Sequence, residues 1–67
     1  MTLYELISKI TNIPVTVMCD KGDNRYTLVY RGESCFFRMN DKESELWVKH
    51  IAPHKERTGE LFVMVEE

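Results

Sequence analysis

The sequence predicts an α+β fold: one N-terminal helix packed on a four- to five-stranded, mainly antiparallel sheet. Three observations lead there. The hydrophobic period is helical before Pro14 and two-residue after it. Clusters of turn-forming residues divide the remainder into short alternating runs. The connections are brief, which favours antiparallel neighbours because parallel pairing needs a long crossover. A chain of 67 residues is expected to form a single domain, residues 1–67. That length excludes a two-lobed enzyme and a self-contained nucleotide-binding fold.

The helix has the firmest signal. Thr2-Leu3-Tyr4-Glu5 fits a capping box, in which Thr2 satisfies a free backbone N–H and Glu5 reaches back to the Thr2 backbone. Leu3, Leu6, Ile7 and Ile10 then form one apolar stripe, and Pro14 forbids continuation. The spacing predicts a helix over residues 3–11.

Strands follow. Val15, Val17 and Cys19 alternate with Thr16 and Met18. Asp20-Lys21-Gly22-Asp23-Asn24 is dense in turn formers and should reverse the chain. In residues 25–31, Tyr26, Leu28 and Tyr30 share one face while Thr27 and Val29 share the other. Residues 34–39 read as a third strand, with Cys35, Phe37 and Met39 opposite Ser34, Phe36 and Arg38. Residues 40–45 form a polar connection with room for a helical turn. Residues 46–51 resume as a strand, with a helix left open over so short a run. After a polar loop at residues 53–59, Leu61, Val63 and Val65 alternate with Phe62, Met64 and Glu66 in a last strand.

The helix stripe would cover one sheet face, against Val15, Val17, Leu28, Val48, Leu61, Val63 and Val65. A single helix cannot cover the other face, where Met18, Val29, Phe36, Trp47, Phe62 and Met64 would gather. Exposed apolar groups collected in one patch mark an interface or a binding groove, and aromatics and Met are over-used at such contacts.

Bulk properties narrow the class. The residues are 43% hydrophobic and 30% charged, which argues against disorder. A chain this short buries only about 60% of its unfolded surface, so the core is marginal and self-association is a natural supplement. Cys19 and Cys35 allow at most one disulfide, far from a disulfide-dense secreted scaffold. The start lacks a signal-peptide pattern, and no apolar stretch approaches the ~20 residues of a membrane span. The expectation is a soluble, reduced, cytoplasmic protein with no membrane partner. Net charge is -2, distributed as -1 over residues 1–20, +2 over residues 21–38 and -3 over residues 39–67. A nucleic-acid-binding domain is usually more basic than this pI of about 5.6.

The order of motifs resembles a known class. Met1-Thr2-Leu3-Tyr4-Glu5-Leu6-Ile7-x-x-Ile10, Val15-x-Val17, Tyr30-x-Gly32, Val48-Lys49-x-Ile51 and Leu61-Phe62-Val63-x-Val65 are its carriers. Together they resemble small uncharacterised accessory proteins encoded by phages and mobile elements of Gram-positive bacteria. In those, a capped Glu-Leu-Leu or Glu-Leu-Ile helix precedes short strands. The Cys35-Phe36-Phe37 segment and the long loop at residues 53–59 depart from the pattern. The resemblance implies an origin and an accessory role. Some such proteins inhibit host defence, anti-CRISPR proteins among them, by occluding a larger partner. It assigns no functional residue.

Catalytic and metal chemistry find little support. Cys19, Cys35, His50 and His54 are four possible zinc ligands, but Pro53 interrupts the His50-x-x-x-His54 spacing and no Cys-x-x-Cys knuckle exists. Ser34, Cys19 or Cys35 with His50 or His54 lacks any recognisable nucleophile motif. Asp41, Glu43 and Glu45 read as solvated surface, and Asp20, Asp23 and Asn24 lack calcium-loop spacing. No enzyme activity, cofactor or metal is expected.

Two binding readings remain. The first is a protein-interaction module, self-associating or binding a foreign protein, with Phe36, Trp47, Phe62 and Met64 as anchors. The alternative is single-stranded nucleic-acid binding, with Arg25, Arg31 and Arg38 tracking phosphates beside aromatic rings.

Overall fold

The computed structural model describes all of residues 1–67. The chain runs α1 (Leu3–Lys9), β1 (Pro14–Gly22), β2 (Arg25–Glu33), a 3₁₀ turn (Ser34–Phe36), α2 (Asp41–Ser44), β3 (Trp47–Pro53) and β4 (Leu61–Glu66). This is an α+β arrangement of one main helix on a four-stranded mixed sheet. No helix is long and apolar enough to cross a membrane.

Local chemistry explains each boundary. The Thr2 hydroxyl accepts from the Glu5 N–H, and the Glu5 carboxylate accepts from the Thr2 N–H at 2.9 Å, so the expected capping box is present. The helix ends one turn before Pro14, with Ile10 already extended as its C-cap, rather than reaching residue 11. Asp23 and Asn24 both adopt positive φ between β1 and β2. That is the backbone a tight hairpin requires and that Asn and Asp tolerate. A second capping box, Asn40 with Glu43, starts α2 in the polar connection.

The strand order is β2-β1-β4-β3. β1–β2 and β3–β4 are antiparallel, but the central pair β1–β4 is parallel. The mainly antiparallel, four- to five-stranded expectation is therefore corrected to four strands with a parallel centre. Short connections do govern each hairpin. Residues 34–46 are the exception, long enough to carry β3 to the far side, so that the first and last strands meet. Those two strands hold the most continuous apolar sequence, which suits a parallel pair in the sheet interior.

The core is one-sided. Leu3 and Leu6 of α1 and Leu46 close over Val15, Val17, Cys19, Val63 and Val65, with Ile7 and Ile10 packed at the margin. The N-terminus is pinned to the outer edge of β3. The Leu3 N–H donates to the Leu46 carbonyl at 2.7 Å, and the Val48 N–H donates to the Met1 carbonyl at 2.9 Å.

Two sequence expectations need correction. Residues 34–39 do not form a third strand. Ser34 is buried, and its N–H donates to the Ile13 carbonyl at 2.9 Å while its hydroxyl accepts from the Ile13 N–H. These bonds hold the chain against the α1–β1 link and off the sheet, which leaves Cys35 exposed rather than buried. In β2, the register against β1 skips one residue at Val29. The bulge turns Val29 and Tyr30 toward the core and puts Leu28 on the opposite face, 54% exposed, so Leu28 is not a core residue. The strand reading of residues 46–51 holds from Trp47 on, as β3, while Leu46 precedes the strand and is buried in the core.

Candidate protein-binding face

The sheet face away from α1 carries no helix or further strand, and only residues 54–60 fold back over its Thr16 end. The molecule measures 29 × 27 × 17 Å, and its short dimension accommodates one sheet and one helix layer. A third layer would add roughly 10 Å.

The register sets the pattern of this open face as three rows across the strands. The first row is Arg31, Thr16, Phe62 and Ala52. The second is Leu28, Met18, Met64 and His50, and the third is Tyr26, Asp20, Glu66 and Trp47. Trp47 is 53% exposed and Tyr26 is 51% exposed, while Met18, Phe62 and Met64 are half-buried by their neighbours. The middle is thus apolar and polarizable, with aromatics at two corners.

The two ends are polar in opposite senses. At the third row, Lys49 lies in the bulge of β3 and reaches over β4 to Asp20, Nζ to Oδ2 at 2.6 Å. The Lys49 ammonium, with the Gly22 N–H, holds the Asp20 carboxyl below the usual range, and Asp20 in turn raises Lys49. Glu66 beside them has no ion-pair partner. At the first row, Thr16 is only 2% exposed because residues 54–60 fold over it, and its hydroxyl donates to Glu60 Oε2 at 2.5 Å. Glu60 also faces His54 Nε2 and Arg57, each at 3.8 Å. Arg31 and Lys55, at the same end, have no ion-pair partner.

An open groove of about 550 Å³ lies beside that loop, lined by Arg31, His50, Ala52, His54, Lys55 and Phe62 among others. Its His54 is committed to the fold. Nδ1 accepts the Glu56 N–H at 3.2 Å, Nε2 faces Glu60, and the ring meets Phe62 edge-on at 6.1 Å.

Of the protein-interface candidates, Trp47, Phe62 and Met64 come together on the open face. Phe36 does not: it sits in the 3₁₀ turn off the sheet, 68% exposed. Met18 lies on the face as the alternation predicts, and Leu28, expected against the helix, joins it there. Of the nucleic-acid candidates, Arg31 is on the open face and Arg25 is at the hairpin turn, six positions or roughly 20 Å along β2. Arg38 lies outside the sheet.

Cys19, Cys35, His50 and His54 do not gather. Cys19 is in the core, Cys35 is in the 3₁₀ turn, and no group of three or more His, Cys, Asp or Glu could hold a metal ion. Ser34 is spent on Ile13 and Thr11. No protein-family model, no curated protein and no solved structure matches this chain.

Proposed function

We propose that the protein is a small protein-binding module that acts by stoichiometric contact through its open sheet face. One observation carries this reading: Trp47, Leu28, Met18, Met64 and Phe62 share a face that no helix or strand of the chain covers. The partner surface it fits is flat and apolar at its centre, with opposite charges at its two ends. Such a contact acts by occlusion or scaffolding, as the resemblance to phage and mobile-element accessory factors implies. Trp47, at a corner of the face, is the main anchor, because desolvated aromatics dominate interface energies. Its replacement by Ala costs about 2 kcal/mol of binding.

The test uses a photo-crosslinking amino acid at position 47, with position 4 on the exposed side of α1 as control. Cells that make the protein should yield protein adducts from position 47 and not from position 4. Equal or absent adducts from both positions reject the reading.

A further inference from the structure

Resting on that reading of the open face as a contact, its own pattern identifies the occupant. We infer that a second copy of this chain covers it. The two-fold axis lies in the contact plane and runs across the strands, through the Leu28–Met18–Met64–His50 row.

Symmetry leaves two simple ways to stack the face on itself with strands aligned, as packed sheets prefer. An axis along the strands sets each row on its own copy with the strand order reversed, so the cationic Arg31 on β2 faces the Ala52 and Lys55 end of the second copy's β3. An axis across the strands exchanges the first and third rows and keeps each strand over itself. The unpaired Arg31 end then meets the end with Asp20 and unpaired Glu66. Like-charge juxtaposition is the stronger discriminator, because like charges brought together at an interface suppress the contact.

Shape agrees. Trp47 and Ala52 lie near opposite ends of β3, in the third and first rows. The exchange therefore seats the large, half-exposed indole over the second copy's smallest open-face side chain, twice. It also sets the Arg31 guanidinium over the second copy's Tyr26 ring, a cation–π geometry, with Asp20 one strand away. The middle row meets itself, Met on Met, and flexible thioethers tolerate such self-contact.

Size agrees as well. The broad side of 29 × 27 Å allows a contact near the ~800 Å² per partner of a standard interface. Only ten of 67 residues are buried in the isolated chain. Chains below about 70–80 residues commonly supplement such a core by association.

The experiment is a light-scattering mass over a concentration series, on the full chain and on Arg31→Glu, Asp20→Arg and the double variant. Circular dichroism checks that each is folded. The expected wild-type species has twice the 7.9 kDa chain mass. Each single charge reversal should weaken the dimer about tenfold or more, and the double reversal should restore it. Emission from Trp47, the only tryptophan, should shift blue as the dimer forms. A wild type monomeric throughout overturns the second copy, and adducts of position 47 with a foreign protein would then keep the contact reading alone. A dimer that the double reversal fails to restore overturns the axis. A dimer indifferent to all three variants places the contact elsewhere and overturns the inference.

Discussion

One sheet presents two faces built from alternate residues of the same strands, and they differ in kind. Under α1 the strands offer Val15, Val17, Cys19, Val63 and Val65, all small and all buried. On the open side the same strands offer Met18, Met64, Phe62, Trp47 and Leu28, all large and at best half-buried. Small β-branched side chains suit a helix that must approach closely and stay. Long Met and planar aromatics suit a surface that meets something separable, because they adapt and bury much area. Reversing the two sets would overfill one side and leave the other featureless.

The largest effect should separate the faces directly. Leu3→Ala empties a fully buried site and should cost about 3 kcal/mol in a urea unfolding curve. Leu28→Ala, 54% exposed, should cost under about 1 kcal/mol in dilute protein. If Leu28→Ala grows costlier as protein concentration rises, the open face is covered by association. Equal costs for the two at high dilution would break the comparison outright.

Next comes the one place where the open side is sealed. Thr16 is as buried as the core valines, although its side chain points away from α1, and its hydroxyl bonds the Glu60 carboxylate. Thr16→Val keeps the shape and deletes that bond, so it should cost about 2 kcal/mol. Proteolysis should then cut residues 54–60 faster. Unchanged cleavage would mean the loop is held by His54 and Phe62 alone.

Thr2→Ala should follow at about 1 kcal/mol, since it removes the α1 cap on the covered side. A loss of helical dichroism with the open-face Trp47 emission unchanged is the expected signature.

How much of this was legible in the sequence depended on range. Local signals carried over well: the Thr2–Glu5 box, the Pro14 stop and the Asp23–Asn24 reversal each depend on neighbours within a few residues. Asn40-x-x-Glu43 repeats the Thr2-x-x-Glu5 spacing and could have announced α2. What strict alternation could not carry was the bulge at Val29, a register event set by the β1 partner, and it moved Leu28 out of the core. Nor could it show that Ser34 would bond Ile13, 21 positions away, and draw Phe36 off the sheet. The parallel β1–β4 pairing is likewise a choice between distant strands. The candidate face was therefore legible in Trp47, Phe62 and Met64, whose strands alternate undisturbed where they lie. It was missed at Phe36 and Leu28, where long-range bonds decide.

The smallest effect is in pH, and it divides the two faces by mechanism. On the covered side, Glu5 is held below the usual carboxylate range by the Thr2 backbone N–H, then by the Thr2 hydroxyl. On the open side Asp20 is lowered chiefly by Lys49, while off that face, near Lys42 of α2, Glu67 is lowered by Lys21, and both lysines are raised. A carboxyl lowered in the fold stabilises above its unfolded pKa, 3.8 for Asp and 4.5 for Glu, and that contribution fades as pH falls through the folded value. The raised lysines contribute below 10.5 and lose their share as pH climbs above it. Unfolding midpoints should therefore dip on the acid side below about pH 4 and on the alkaline side above the usual lysine range. Four of the five groups are solvent-exposed and Asp20 is half-buried, so both dips are small. Salt then tells the faces apart. At about 1 M salt the screening length shrinks to roughly 3 Å, so the Asp20–Lys49 share of the acid dip should fade. The Glu5 share rests on neutral donors and should persist. Asp20→Asn should shrink the salt-sensitive part, leaving the Lys21–Glu67 share, and Glu5→Gln should remove the salt-resistant part. If salt erased both alike, the Glu5 effect would be charge attraction from Lys9 and the N-terminus rather than the cap.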